Sequence, residues 1–221
     1  MAENKKLPEW DLSEYYVGME DKKIDEDIAL YAQKAEEFAA KYRGRVDGLD
    51  ANEFLEALKD VEELDRIAAK LGGFASLNST TQLTNPKASA LYQRVVEALN
   101  AAGTNLVFFG LEYNQLSAEQ EEKLFADERV AFYKPYLKRL RKYKPYELSE
   151  EVEQTLLEKD VTSGSAWVRF YEESMSRLSY EVAGKTYNDA EIGKLCVHPD
   201  AAVREKAGKE INRVSQENSF Q

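Results

Sequence analysis

The stretch from Asn85 to Leu116 most constrains the fold, because its pattern predicts an element long enough to act as a spine. Asn85 can cap a helix with its side-chain oxygen, and Pro86 suits the first helical position, where no N–H is needed. No proline follows until Pro135. Apolar or small residues recur at steps of three and four at Ala88, Tyr92, Val95, Leu99, Ala102, Leu106, Phe109 and Tyr113. The pattern predicts one helix on the order of 45 Å long.

Two helical patterns precede this stretch. Residues 25–43 place apolar side chains on one face at Ile28, Tyr31, Ala35, Phe38 and Tyr42. A second helix is predicted from Asp50 to about Gln82, with its stripe at Phe54, Ala57, Val61, Leu64, Ala68, Leu71 and Ala75. Because only a short break separates it from the spine, the two are predicted to form a long antiparallel hairpin. Upstream, Trp10, Leu12 and Tyr15 are predicted to hold an extended segment, residues 7–16, against the body.

Shorter elements follow the spine. Ser117, Ser149 and Asn188 are predicted to cap helices over residues 118–126, 150–160 and 189–196. Helices are also predicted near 129–143, after Thr162 or Ser163, and from Ala201. Between residues 178 and 187 the period changes to two, which indicates a small β-hairpin. The predicted fold class is all-α and mostly helical, with a long antiparallel helical hairpin, shorter packed helices and that one hairpin.

Composition narrows the functional classes. The formal charge is −11, from 30 basic and 41 acidic residues, which argues against general nucleic-acid or anionic-membrane binding. The single cysteine, Cys196, allows no internal disulfide and fits a reducing compartment. No segment has the features of a signal peptide, and no run approaches ~18 apolar residues. These observations predict a cytoplasmic protein with no membrane partner.

The titratable residues do not form a recognised catalytic motif. His198 is the sole histidine, so a zinc-binding H-E-x-x-H motif cannot occur. Cys196 lies two residues from it, but both residues are interpreted as structural. Glu150, Glu151 and Glu153 are interpreted as the solvated first turn of a helix, where carboxylates suit the helix dipole. We therefore assign no residue of this chain a catalytic, cofactor-binding or metal-binding role.

One stretch offers a second functional interpretation. Residues 129–146 hold seven basic residues and no acidic one: Arg129, Lys134, Lys138, Arg139, Arg141, Lys142 and Lys144. Aromatic residues are interleaved at Phe132, Tyr133, Tyr136, Tyr143 and Tyr146. Such a mixture can bind phosphates and stack on bases. The simpler interpretation, which we favour, is a helix with a core-facing apolar set and a basic outer face.

Several stretches together resemble the N-terminal part of oligoendopeptidase F, a zinc metallopeptidase related to thimet oligopeptidase. They are distributed in order over residues 7–215. The matching stretches are Leu7 to Leu12, Phe108 to Glu112, Leu137 to Arg141, Lys144 to Ser149, Gly164 to Trp167, Arg177 to Gly184 and Pro199 to Ala207. The resemblance rests on their order and spacing rather than on any single motif.

This resemblance implies a function for a larger parent protein. The family cleaves short peptides with zinc held by an H-E-x-x-H helix and a downstream glutamate, and its N-terminal helical region is expected to wall a substrate channel. The sequence here stops before such a motif. The resemblance therefore implies that residues 1–187 form an N-terminal helical domain and that residues 188–221 begin the peptidase domain. The implied partners are the missing C-terminal peptidase domain and an oligopeptide substrate. The resemblance implies zinc in the parent protein and no cofactor in this chain. The chain alone is expected to be catalytically inactive.

Two alternatives remain open at this point. One is a non-enzymatic helical interaction module, and the other, less favoured, is an RNA-binding domain that uses residues 129–146. The last predicted helix carries an apolar stripe at Val203, Ala207, Ile211 and Val214. If its packing partners lie in a missing domain, the isolated chain is predicted to self-associate through residues 201–220 or to fray there.

Overall fold

The structure, a computed structural model, describes residues 10–219. It confirms a mostly helical chain with one small antiparallel sheet. The helices are α1 (Lys22–Tyr42), α2 (Ala51–Thr81), α3 (Pro86–Gly103), α4 (Val107–Gln115), α5 (Ala118–Phe125), α6 (Glu128–Ala131), α7 (Lys134–Tyr143), α8 (Glu150–Asp160), α9 (Gly164–Ser176), α10 (Asp189–Cys196) and α11 (Ala201–Glu217). The strands are β1 (Tyr180–Val182) and β2 (Lys185–Tyr187), and short 3-10 turns lie at Val46–Gly48 and Lys144–Tyr146.

The chain divides into two compact units. Unit 1 contains residues up to Thr81 and Lys87–Val161, and unit 2 contains Gln82–Pro86 and residues from Thr162 onward. Among the helices of residues 10–219, none combines the length and the apolar character required to cross a bilayer.

Unit 1 is built on antiparallel helix pairs. Helices α1 and α2 are linked near one end by Lys70 Nζ and Asp27 Oδ2, 2.8 Å apart, and near the other by Tyr42, whose hydroxyl donates to Asp60 over 2.8 Å. The predicted hairpin of α2 and α3 also forms. The Leu99 side chain of α3 packs at Gly72 of α2, where an added Cβ would lie 3.7 Å from Leu99 Cδ1.

The predicted spine is not one helix. Helix α3 ends at Gly103, and α4 begins at Val107. Between them the amides of Asn105 and Leu106 donate to carbonyls three residues earlier, and the Thr104 hydroxyl donates to the Ala101 carbonyl. Glycine, threonine and asparagine are poor helix formers, and threonine offers the backbone a competing hydrogen bond. A three-residue break therefore replaces the single helix of ~45 Å that the sequence predicts, and that prediction was wrong.

Aromatic rings from α1, α2 and α4 form the centre of unit 1. Phe54 and Phe108 are fully buried, and Phe109 lies between them, with ring centroids 6.0 Å from Phe54 and 6.4 Å from Phe108. Phe38 of α1 completes the cluster at 5.5 Å from Phe109. Phe109, which lies on the predicted stripe, and Phe108, which lies off it, are thus both buried, so more than one face of this stretch is covered.

The N-terminal segment is held by a different residue from those predicted. Trp10 is 73% exposed and Tyr15 is 40% exposed, so neither is a buried anchor. Tyr16 is instead 3% exposed, packs edge-on against Phe74 and donates its hydroxyl to Asp27. Leu12 packs against the core as predicted, whereas residues 7–9 of the predicted segment lie outside the described residues.

Unit 2 has a small core of its own. Strands β1 and β2 pair antiparallel, with Val182 opposite Lys185, and the turn places Ala183 and Gly184 at positive φ. Asn188 forms a full capping box with Glu191 at the start of α10. The buried core residues are Tyr180, Val182, Ile192, Ala207 and Val214. The apolar stripe of α11 thus contributes Ala207 and Val214 to this core.

Candidate functional site

A groove in unit 1 is lined in part by Tyr143 and Tyr146, two aromatic residues of the basic stretch. It has a volume of 370 Å³ and is here called the α4–α8 groove. Its lining comes from α4, α7, the 3-10 turn and α8: Val107, Gly110, Leu111, Asn114, Leu140, Tyr143, Tyr146, Glu147 and Glu153. Its α4 wall begins directly after the break between α3 and α4.

Asn114 joins the elements around the groove. It is 1% exposed, and its Nδ2 donates to the Leu140 carbonyl over 3.1 Å and to the Glu147 carboxylate. Its Oδ1 is buried and has no hydrogen-bond partner among residues 10–219. A buried side-chain oxygen that stays unpaired costs free energy, so the two donated bonds must compensate for it. Asn114 therefore fixes α4 relative to α7 and to the turn that carries Glu147.

Two basic side chains hold the C-terminal end of α4. Arg141 Nη1 donates to the carbonyls of Asn114 and Leu116 over 2.7 and 3.2 Å, and Lys144 Nζ also donates to the Asn114 carbonyl. Arg141 additionally lies 3.3 Å from a Glu121 oxygen. These cations satisfy carbonyls that have no partner inside the helix and suit the negative end of its dipole.

A tyrosine completes this polar cluster. The Tyr113 hydroxyl donates to Glu121, and the Arg141 guanidinium lies 4.9 Å from the Tyr113 ring centroid. Burial and the Glu121 carboxylate raise the pKa of Tyr113 far above its ordinary value. The tyrosine thus stays neutral and serves as a hydrogen-bond donor beneath the groove.

Helix α8 forms the opposite wall and is fixed by its own contacts. Gln154 Nε2 donates to the Thr104 carbonyl in the break after α3, over 3.1 Å. A Cβ placed on Gly103 would lie 3.6 Å from Leu157 Cδ2. Glu153 accepts from the Leu148 amide over 2.9 Å, which stabilises the start of the helix. The predicted cap Ser149 precedes α8 but makes no side-chain capping bond.

The groove is apolar at its walls and acidic in charge. Tyr143 and Tyr146 are 63% and 78% exposed, whereas Leu140 is packed against the core. Glu147 and Glu153 are the charged lining residues, and neither forms an ion pair with any residue in the described part of the chain. The lining itself thus carries two carboxylates and no cation, next to aromatic and aliphatic side chains, while Arg141 and Lys144 are engaged at the Asn114 carbonyl.

The basic stretch is largely engaged within the protein. Arg129 donates to Asp127 and to Asn52, and Arg141 is bound as described above. Lys134 lies 5.0 Å from the Phe125 ring centroid and Arg139 lies 5.9 Å from that of Tyr136. These contacts favour the packing interpretation of residues 129–146 over a phosphate-binding surface. Tyr136 and Leu140 pack against the core as that interpretation predicts, whereas its third core-facing residue, Tyr143, is exposed.

His198 and Cys196, the remaining residues considered from the sequence, each have structural surroundings. His198 Nδ1 accepts from the Asp200 amide over 3.1 Å, and its carbonyl accepts from Arg204. Cys196 is half-buried at the edge of the unit 2 core. Within residues 10–219 no group of three His, Cys, Asp or Glu side chains is placed to hold a metal ion. The donor set in this part of the chain therefore does not fit zinc.

A second exposed surface lies in unit 2. Helix α9 has no fully buried residue, and its large apolar side chains are exposed at Trp167, Val168, Phe170 and Tyr171. Trp167 and Phe170 contact each other edge-on, with ring centroids 6.0 Å apart.

Sequence patterns did not identify the lining residues Gly110, Asn114 and Glu147 as a group. The Asn114 side chain donates to the Leu140 carbonyl and to Glu147, which lie 26 and 33 residues further along the chain, so no local period connects them. The signal in the sequence that could have indicated this group is the polar Asn114 directly after Tyr113 of the apolar stripe, because a buried amide requires hydrogen-bond partners.

Comparison with known proteins confirms the resemblance to oligoendopeptidase F. A family model for the N-terminal region of M3 peptidases, described as Oligopeptidase F, matches residues 112–180. The fold is similar to that of the crystal structure of oligoendopeptidase-F from Enterococcus faecium, with a TM-score of 0.74 and 22% sequence identity. The alignment covers 89% of this chain and 40% of that one, so the chain spans well under half of the length of this relative. No curated protein matches the sequence.

Proposed function

We propose that this chain is the N-terminal part of a zinc-dependent oligoendopeptidase that hydrolyses short peptides, and that it forms a wall of the substrate channel. The observation that supports this most is the family match over residues 112–180, inside a fold that aligns over 89% of the chain. In this proposal residues 1–187 form the N-terminal helical domain and residues 188–221 begin the peptidase domain. The protein would act in the cytoplasm, in keeping with its acidic composition and single cysteine.

The described residues contribute shape and binding rather than bond cleavage. Because no metal-ligating group is present among residues 10–219, the peptide bond would be cleaved by residues from a C-terminal peptidase domain. A rigid helical wall restricts which peptides reach such a centre, and positioning of this kind lowers the entropic cost of the reaction. The aromatic core and the Asn114–Arg141 cluster give unit 1 that rigidity.

The reading frame downstream of codon 221 tests the proposal directly. We expect an H-E-x-x-H motif in the same frame, with a further glutamate downstream. A stop codon directly after codon 221, or an unrelated domain, would contradict the peptidase assignment and favour a non-enzymatic interaction module.

Activity of the full-length product provides a second test. We expect it to cleave a quenched fluorescent oligopeptide and to lose this activity on treatment with a zinc chelator. The matched control replaces the glutamate of the H-E-x-x-H motif with glutamine, which preserves metal binding but removes the general base. The 221-residue chain alone is expected to be inactive in the same assay.

A further inference from the structure

We propose that the α4–α8 groove binds the side chain of a lysine or arginine residue in a bound peptide. This inference rests on the proposed peptidase function for the source of the peptide, but the binding itself is a property of this chain. The groove volume of 370 Å³ lies within the range of roughly 300–1,000 Å³ that is usual for ligand sites.

The shape and polarity of the lining match a long side chain with an apolar stem and a charged end. Val107, Leu111 and Leu140 provide aliphatic surface for the methylene groups. A lysine or arginine stem packs on such surface while its charged end remains near polar groups. An acidic side chain would find no cation among the lining residues.

The charge of the groove selects the end group. Glu147 uses one carboxylate oxygen to accept from Asn114, and Glu153 uses one to accept from the Leu148 amide. Neither carboxylate is paired with a cation of residues 10–219, although the surrounding chain is rich in lysine and arginine. A cation entering the groove would therefore meet two carboxylates whose second oxygens have no ion-pair partner.

The exposed tyrosines reinforce this preference. Tyr143 and Tyr146 line the groove and present most of their surface to solvent. An ammonium or guanidinium group is attracted to the face of an aromatic ring within about 6 Å of its centroid. Aliphatic, acidic and aromatic features thus converge on one ligand chemistry, a basic side chain.

The test is a chemical-shift titration of the ¹⁵N-labelled 221-residue chain with blocked tripeptides. Acetyl-Ala-Lys-Ala-amide is compared with the norleucine analogue, which has a similar stem but no charge. We expect the lysine peptide to bind about tenfold more tightly than the norleucine peptide, with less difference at high salt. The perturbed amides should lie in residues 107–114 and 140–153.

Two substitutions with matched controls locate the site. Glu153→Gln keeps the acceptor for the Leu148 amide but removes the charge, and it should reduce the lysine preference. Glu158→Gln makes the same change in net charge at an exposed position on α8 outside the groove, and it should not.

Filling the groove provides an independent test. A Cβ at Gly110 would meet no atom within 4 Å, so a side chain can be added there, and Gly110→Leu should fill the groove and abolish binding of both peptides. Gly208→Leu makes the same change at an open helical glycine in unit 2, where binding should be unaffected. Thermal unfolding of each variant confirms that the chain remains folded.

Several results would overturn the proposal. They are the absence of lysine-peptide binding at low-millimolar concentration, equal affinity for the lysine and norleucine peptides, or equal effects of Glu153→Gln and Glu158→Gln. These results are independent of the downstream reading frame. A peptidase motif without groove binding would leave the proposed function intact, and groove binding without that motif would leave this inference intact.

Discussion

The two units differ in how much of their apolar surface they bury. In unit 1, α1, α2 and α4 enclose the rings of Phe38, Phe54, Phe108 and Phe109. In unit 2, a hairpin and two helices enclose a small core, while α9 exposes four large apolar side chains, two of them in mutual contact. Because free energy from apolar burial scales with the area removed from water, unit 1 should be much the more stable. We therefore expect one chain to contain a rigid, more stable unit 1 and a less stable unit 2.

The largest expected effect is on the aromatic centre of unit 1. Phe54→Ala removes a fully buried ring that lies 6.0 Å from both Phe109 and Tyr113, and it should lower the free energy of unfolding by about 3–5 kcal/mol. Phe132→Ala, at a ring that is 76% exposed, should change it by less than about 0.5 kcal/mol. Urea denaturation followed by circular dichroism measures both. Similar losses in the two variants would contradict the proposed position of the core.

This core was only partly predictable from the sequence. The stripes of α1 and α2 were confirmed, because a repeat of three and four residues identifies a buried helix face without further information. The capping roles of Ser117 and Asn188 were confirmed for the same reason, since a cap depends on residues within one turn. The all-α class follows from these local signals.

Features that depend on distant residues were not predictable. The break at residues 104–106 is stabilised in part by Gln154, about fifty positions away, and the choice of Tyr16 over Tyr15 as anchor depends on Phe74 and Asp27. The groove forms because α4, α7 and α8 pack next to one another, and a local sequence period does not specify that packing. Of its two carboxylates, only Glu153 was interpreted from the sequence, as part of a solvated first helical turn with Glu150 and Glu151.

Breaking the smaller core sharpens the comparison. Ile192→Ala removes a fully buried side chain from unit 2 and should destabilise that unit by about 2–4 kcal/mol. Because the units have separate cores, amide hydrogen exchange should accelerate across residues 180–217 and remain unchanged in α1 and α2. Val197→Ala, at an 80% exposed side chain, is the control. Equal acceleration in both units would show that they unfold as one.

The polar cluster beneath the groove should matter less than either core. Arg141→Met keeps much of the apolar stem but removes the donors to the Asn114 and Leu116 carbonyls and the ion pair with Glu121. Since the side chain is partly exposed, we expect a loss of about 2 kcal/mol rather than the larger cost of a fully buried charge pair. Lys138→Met, at an exposed position on the same helix, should have little effect. Equal stability of the two variants would remove Arg141 from its role at the end of α4.

The smallest expected effect is a pH dependence confined to unit 2. Glu210 accepts from Arg213 and from the Glu181 amide, which lowers the pKa of its carboxyl to about 2 from an ordinary value of 4.5. A carboxyl with a lowered pKa in the folded state stabilises that state above its unfolded pKa, and this contribution is lost as the pH falls. Glu210→Gln should therefore lower the melting temperature of unit 2 at about pH 5, and its difference from the wild type should shrink towards about pH 3. Glu172→Gln, at an exposed carboxylate on α9, should show no such convergence. A difference that stays constant between these pH values would mean that Glu210 acts through shape or hydrogen bonding alone. In that event the α11–β1 contact would be independent of pH, and the weaker unit would depend on its apolar core alone.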